Sequence, residues 1–310
     1  MPTDLNLLPL PTLFESLTRS GLVKRLLELS RDEDFGIGCK PGDITSLTSI
    51  TSDSVAVAEI SSRSGGVIAG LAVVPDVLRV FAPGTKFDVY ARDGDRVSAQ
   101  TALGILSGPT RKLLGAERTL LNLVGRLSGI ATLTSKYVAA AGNAKAGVYD
   151  TRKTTPGLRV LEKYAVRCGG GKCHRMGLFD AMLLKDNHLA GVALNRLGAW
   201  VDDAAGKARK LNPELQFVMV EVDSLEQLAE IVKLKAGVVD IVLLDNMNSA
   251  KLRDAVVMRN AANPKLELEA SGGVNLETIA GIAASGVDRI SVGALTHQAV
   301  SLDIGLDFQS

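Results

Sequence analysis

Six short apolar runs each end on residues able to do polar chemistry. The ends are Asp150-Thr151-Arg152-Lys153, Lys185-Asp186-Asn187-His188, Glu221, Asp245-Asn246, Ser271-Gly272-Gly273 and Gly293. Between positions 151 and 185, eight Lys and Arg stand against only two acidic residues, Glu162 and Asp180. That stretch also holds Gly169-Gly170-Gly171 and His174. Guanidinium forks, ammonium groups and glycine backbone amides all pair with carboxylate or phosphate oxygens, so this composition suits a small polyanion. Arg152, Lys153, Arg175 and Lys185 are the cations that best fit such a role. Arg159, Lys163 and Arg167 recur at helical spacing and are open to a second interpretation, a solvated helix face. Glu221 and Asp245 end separate runs. Two such carboxylates could hold Mg²⁺, stabilise a developing carbocation, or pair with the lysines opposite. Ser271-Gly272-Gly273 and Val292-Gly293-Ala294 close the last two runs, where glycine lets a backbone approach a phosphate closely.

These residues need elements that bring them to one place. The six runs, at 147–150, 181–185, 216–222, 239–245, 266–270 and 288–292, alternate with helical patterns such as 158–166, 225–234 and 276–284. Strand–helix alternation predicts a parallel sheet or (β/α) barrel, with the active site at the C-terminal strand ends. A closed eight-stranded barrel usually needs ~250 residues, so six or seven strands are expected. Ahead of them the pattern differs. The first 30 residues read as helix interrupted by Pro9 and Pro11, and 55–63, 66–70, 86–92 and 102–106 read as short strands. Arg92-Asp93-Gly94-Asp95-Arg96 has the composition of a hairpin turn. A long helical pattern over 111–141 is expected to break near Gly125 or Gly129. The front part is therefore α+β.

Composition narrows the class further. With 46% hydrophobic and 22% charged residues, the 310-residue chain is globular rather than disordered. A net charge of +1 and 4% aromatic residues argue against a nucleic-acid coat. No apolar run reaches the ~18 residues of a membrane span, and no basic region precedes an apolar core at the start. Cys39, Cys168 and Cys173 fit a reducing cytosol better than a disulfide framework. Cys168, Cys173 and His174 lack a fourth nearby ligand for zinc.

The combined motifs closely resemble the quinolinate phosphoribosyltransferase family. They are Asp150-Thr151-Arg152-Lys153-Thr154-Thr155-Pro156-Gly157, Glu162-Lys163-Tyr164, His174-Arg175-Met176-Gly177-Leu178 and Lys185-Asp186-Asn187-His188. Glu117-Arg118-Thr119, Leu244-Asp245-Asn246, Glu269-Ala270-Ser271-Gly272-Gly273 and Ser291-Val292-Gly293-Ala294 extend the likeness. The resemblance implies an N-terminal α/β sandwich (α+β) domain over 1–125, joined by 298–310. Beside it, over 126–297, it implies an incomplete, six- to seven-stranded α/β barrel. It also implies a reaction. Quinolinate and 5-phosphoribosyl 1-pyrophosphate give nicotinate mononucleotide, CO₂ and pyrophosphate, with Mg²⁺, in de novo NAD synthesis in the cytoplasm.

By the same resemblance, quinolinate binds Arg152, Lys153, His174, Arg175 and Lys185, with Arg118 reaching in from the other subunit of a homodimer. The ribosyl donor binds Thr151, Lys153, Lys185, Glu221, Asp245, Ser271, Gly272, Gly273, Val292, Gly293 and Ala294. Lys153, Glu221 and Asp245 are the catalytic set, and Glu221 and Asp245 the Mg²⁺ candidates. Two alternatives are a nicotinate phosphoribosyltransferase, a related barrel that takes a monocarboxylate, and, from a different class, a non-catalytic or accessory paralogue associated with molybdenum uptake that shares the fold. The chain departs from the family pattern at Cys173, where Asn is usual, and at Asp223, where Glu is common.

Overall fold

The computed structural model describes residues 4–309. In chain order the first elements are α1 (Leu10–Thr18), α2 (Leu22–Phe35), α3 (Ile44–Ser49), β1 (Val55–Ser62), β2 (Gly66–Val67) and α4 (Val74–Phe81). Next come β3 (Lys86–Val89), β4 (Arg96–Val97), β5 (Thr101–Pro109), α5 (Thr110–Ala141), β6 (Gly147–Tyr149) and α6 (Arg159–Cys168). Then follow β7 (Met182–Leu184), α7 (Asp186–Leu189), α8 (Leu194–Leu211), β8 (Val218–Val222), α9 (Leu225–Ile231) and β9 (Ile241–Asp245). The chain closes with α10 (Ser249–Ala262), β10 (Glu267–Ser271), α11 (Ile279–Ala283), β11 (Arg289–Ser291), α12 (Ala294–His297) and β12 (Ile304–Phe308).

The chain divides into two compact units. One comprises Leu8–Ser135, Thr154–Gly170 and Leu295–Ser310. Its main sheet has the order β12-β1-β5-β3 and is antiparallel throughout. The last strand, β12, thus pairs with the first, Ile60 standing opposite Leu306. In α5, Leu113, Ala116, Leu120, Val124, Leu127 and Ala131 are buried. Their spacing of three or four makes one apolar stripe, which is what the sequence requires of a core-facing helix.

Two expectations fail here. Helix α5 is continuous for 32 residues and does not break at Gly125 or Gly129. Those glycines serve close approach instead. A Cβ at Gly129 would lie 2.0 Å from the Val300 carbonyl oxygen, and one at Gly125 2.9 Å from that of Leu302. The turn at 92–96 exists, with Asp95 N–H donating to the Arg92 carbonyl at 3.0 Å. Its flanking strands do not form a hairpin, because β3 pairs with β5 while β4 pairs with β2. Asp93 at its tip is committed elsewhere: its carboxylate accepts the N–H groups of Leu71 and Ala72 and the Tyr164 hydroxyl.

Arg159, Lys163 and Arg167 also belong to this unit, on α6. They do not form a solvated face. Lys163 is fully buried, Arg159 Nε donates to Thr154 Oγ1 at 3.0 Å, and Arg167 donates to the Leu8 carbonyl at 3.1 Å.

The second unit comprises Lys136–Lys153 and Gly171–Ala294 with the segment up to Leu7. It is built on an all-parallel sheet of order β6-β11-β10-β9-β8-β7, every expected strand being present. Lys172 adds a one-residue seventh rung beside β6. Its N–H donates to the Val148 carbonyl at 2.8 Å, and Asp150 N–H donates back to its own carbonyl at 3.0 Å. This is the six- to seven-stranded incomplete α/β barrel.

Met219, Ile241 and Leu243 form a buried cluster, with Leu183 and Phe217 packed against it. Side chains alternate along a strand with period two. The same face that buries Leu183, Met219 and Leu243 therefore presents Lys185, Glu221 and Asp245 two residues later. Core packing fixes the register of that face, because a one-residue slip would send every apolar side chain to the opposite side.

Candidate active site

At the end of β8, Glu221 reaches across to the next strand. Its Oε2 lies 2.5 Å from Lys185 Nζ, the Glu221 side chain being 12% exposed and that of Lys185 46%. Lys185 caps the short α7. His188 Nδ1 accepts the Lys185 N–H at 3.0 Å, which ties the Lys185-Asp186-Asn187-His188 motif into a local loop.

Asp245 ends β9 and is partly exposed. Asn246 follows it in the left-handed region, with φ +53°. Asn246 Nδ2 donates to Asp245 Oδ2 at 2.7 Å. Its backbone N–H donates to the Ser271 carbonyl at 2.9 Å. On that neighbouring strand end, Gly272 and Gly273 are both left-handed, at φ +92° and +61°. Left-handed backbone is open to glycine, which also lets a ligand approach the chain closely. Val292 at the end of β11 is buried and donates its N–H to the Tyr149 carbonyl at 2.9 Å. Gly293 follows, and Ala294 begins α12.

The cationic part grows from β6 and the segment before β7. Thr151 Oγ1 accepts the Lys153 N–H at 3.0 Å, folding the exposed Arg152 and Lys153 into a tight turn. Arg175 is buried, and its guanidinium donates to the Ala181 carbonyl at 3.0 Å. Asp180 accepts the N–H groups of Met176 and Gly177, at 2.6 and 2.9 Å, and so fixes the loop that carries Arg175. Burial lowers the Arg175 pKa, and the nearby Arg152 charge lowers it further against the pull of Asp180. Two guanidinium groups that repel one another are held ready for an anion.

His174, next to Arg175 in the chain, is also buried. Its N–H donates to Asp150 Oδ1 at 2.8 Å. Its Nδ1 accepts the Arg175 N–H at 2.8 Å. Its Nε2 lies 3.3 Å from Glu269 Oε1. Glu269 in turn accepts from Arg289 Nε at 2.7 Å, and the Arg289 guanidinium sits 3.7 Å from the centre of the Tyr149 ring. Burial alone would raise the Glu269 carboxyl. His174 and Arg289 outweigh it and hold the group well below the usual carboxylate range. A buried ionic network thus adjoins the Arg175 backbone.

The departure at Cys173 is resolved by a residue far away in sequence. The Asn6 side chain accepts the Cys173 N–H at 2.7 Å and donates to its carbonyl at 3.0 Å. A side-chain amide therefore clamps the backbone at this point, which together with Asp150 seats His174. Asp223 is exposed, and its N–H is accepted by Gln227 Oε1 at 3.0 Å.

One unit therefore carries Thr151, Arg152, Lys153, His174, Arg175, Lys185, Glu221, Asp245, Ser271, Gly272, Gly273, Val292, Gly293 and Ala294. Arg118 lies in the other unit, on α5. Its side chain is 70% exposed and contacts Glu117. Residue patterns alone gave no role to Asn6, Glu269 or Arg289, and none of its own to Asn246. Glu269 stands two residues before Ser271, and Arg289 four before Gly293. Period two puts them on the same faces as those loops, which is the signal that finds them.

An all-parallel α/β sheet whose strand ends gather cations, two carboxylates and left-handed glycines defines an α/β-barrel enzyme acting on small polyanions. The chain belongs to the quinolinate phosphoribosyltransferase family. The quinolinate phosphoribosyl transferase C-terminal domain matches residues 130–307, and the N-terminal domain of the same family matches residues 43–128. A probable nicotinate-nucleotide pyrophosphorylase (carboxylating) of Bacillus subtilis is 38% identical over 92% of this chain and 93% of its own. The nicotinate-nucleotide pyrophosphorylase (carboxylating) of Mycobacterium leprae is 45% identical over 86% of this chain and 90% of its own. The solved structure of the nicotinate-nucleotide pyrophosphorylase from Francisella tularensis superposes with a TM-score of 0.81, at 35% identity and full coverage of both chains.

Proposed function

We propose that this protein transfers the phosphoribosyl group of 5-phosphoribosyl 1-pyrophosphate to the ring nitrogen of quinolinate and releases the 2-carboxylate as CO₂. The products are nicotinate mononucleotide, CO₂ and pyrophosphate, and the reaction feeds NAD synthesis in the cytoplasm. One observation carries this proposal. In a chain of this family, the strand ends of one parallel sheet carry Arg152, Lys153, Lys185, Glu221 and Asp245, and the loop before β7, in the same unit, carries Arg175.

Quinolinate brings two carboxylates, which Arg152, Lys153, Arg175 and Lys185 neutralise. Arg118 completes this set from the partner subunit of a homodimer, a role its exposure supports. His174 contributes through its neighbours: it holds the Arg175 backbone and the Glu269 carboxylate. The donor's 5′-phosphate rests on the amides of Ser271-Gly272-Gly273 and Val292-Gly293-Ala294. Thr151, Lys153 and Lys185 steady the rest of the donor.

Glu221 and Asp245 are hard oxygen donors at the ends of adjacent strands, which fits Mg²⁺. That ion is held by one or two carboxylates when the substrate supplies phosphates. Bound there, Mg²⁺ would neutralise the departing pyrophosphate. As the bond from C1 to the pyrophosphate oxygen breaks, positive charge grows at C1 as in glycoside hydrolysis, and the two carboxylates stabilise it. The ring nitrogen then bonds to C1 and becomes cationic. When the C2–carboxylate bond then breaks, its electron pair stays on C2, stabilised by the positive charge on the adjacent ring nitrogen, and C2 takes up a proton. The cations near the 2-carboxylate must not bind it too tightly, because the leaving CO₂ is neutral.

Incubation with the ribosyl donor, Mg²⁺ and either quinolinate or nicotinate tests the proposal. Pyrophosphate release with quinolinate alone is expected. Release with nicotinate alone would overturn it.

A further inference from the structure

We infer that Asn246 is a positioning residue, holding the Asp245 carboxylate in its working orientation and tying it to the neighbouring Ser271-Gly272-Gly273 loop. The inference rests on the role proposed above for Asp245. Asn246 is exposed, so its conformation is not forced by core packing. It is nonetheless one of only three non-glycine residues with positive φ among the described residues, beside Cys39 and Gln100. Left-handed backbone is uncommon outside glycine, and Asn is among the residues that enter it most readily. Outliers of this kind collect where a side chain has to be aimed.

The aim is visible in three contacts. The amide Nδ2 donates to Asp245 Oδ2 at 2.7 Å, which fixes one oxygen of the carboxylate. The backbone N–H donates to the Ser271 carbonyl at 2.9 Å, across from β9 to β10. Gly272 closes the clasp: a Cβ there would lie 2.1 Å from Asn246 Oδ1 and 3.0 Å from its backbone nitrogen. Strand register already sets Asp245 directly beside Ser271. The clasp therefore couples a carboxylate that meets developing charge to the loop that receives the phosphate. Aspartate at 246 would keep the size but set a second carboxylate against Asp245. Glycine would keep the backbone conformation and the bond to Ser271, and would remove only the amide.

Asn246→Gly and Asn246→Asp are compared with the wild type and with Asp245→Asn, using the full-length protein. A hydrogen bond to a charged group is worth about 1.5–3 kcal/mol, so kcat of Asn246→Gly should fall about 10- to 100-fold. KM for quinolinate should stay within about twofold, and half-saturation by Mg²⁺ should move upward. Asn246→Asp should fall at least as far. In a crystal structure of Asn246→Gly, the Asp245 carboxylate should no longer hold a single rotamer. A wild-type kcat with unchanged Mg²⁺ dependence would overturn the inference, as would losses in KM and thermal stability without a specific loss in kcat. The rotamer of Asp245 keeps the test separate from the proposed reaction. If the wild type failed to turn over quinolinate, a fixed Asp245 in Asn246→Gly would still refute the positioning role, and a displaced one would still support it.

Discussion

Side chains on the inner faces of the strands divide the work between supporting and acting. Glu269 supports. It is fully buried, paired with Arg289 and close to His174. Glu269→Gln leaves the buried Arg289 guanidinium only the half-exposed Glu267, at 3.4 Å, and removing one partner of a buried pair costs up to about 3–5 kcal/mol. A urea titration at neutral pH should show this. The folded-state pKa of Glu269 is depressed, so the stabilisation is complete above its ordinary value of about 4.5 and is lost as pH falls toward about 2. The stability of Glu269→Gln should accordingly fall less steeply than the wild type over that range. Asp245 acts. Asp245→Asn should lower kcat about 100-fold or more while KM for quinolinate changes little, as expected for charge stabilisation confined to the transition state. Arg175→Lys should do the reverse and raise KM for quinolinate first, because an ammonium group cannot reproduce a guanidinium fork. Steady-state kinetics separates the two. Most of the residues proposed to act were legible in the sequence as polar groups that end apolar runs. The support beneath them was not. Asn6 lies 167 positions from the Cys173 backbone it clamps, and nothing local announces that contact.

Elements were legible to the extent that their pattern is local. All six parallel strands follow from apolar runs bounded by polar or glycine residues. The continuity of α5 does not, because its glycines look like breaks until the segment that lies against them is known. The turn at 92–96 misleads for a similar reason: turn composition fixes a reversal of the chain but not which strands pair. Gly129 gives a sharp test. In an exposed helix interior, Gly→Ala stabilises by about 1 kcal/mol. Here the added Cβ would meet the Val300 carbonyl at 2.0 Å, a backbone atom that cannot move aside cheaply. Gly129→Ala should therefore destabilise by about 1–3 kcal/mol or more, as overpacking does. A lowered urea midpoint with unchanged slope would show it.

For the molecule as a whole, a net charge of +1 conceals a strong local imbalance. Eight cations and two acids lie between positions 151 and 185, and the rest of the chain offsets them. That stretch is itself divided: Arg152, Lys153, Arg175 and Lys185 belong to the parallel-sheet unit, whereas Arg159, Lys163 and Arg167 belong to the other. The proposed homodimer makes a prediction at this scale. Arg118→Ala and Lys153→Ala should each be nearly inactive alone. Refolded together, they should recover about a quarter of wild-type activity, since half of a random mixture is hybrid and each hybrid carries one intact site of two. No recovery in samples shown to contain hybrids would mean that Arg118 acts within its own chain. The central claim is tested most directly by quinolinate labelled in its 2-carboxylate. With the ribosyl donor and Mg²⁺, one labelled CO₂ should appear for each pyrophosphate released, and none should remain in the nucleotide. Label retained in the nucleotide, or pyrophosphate formed without CO₂, would contradict the account.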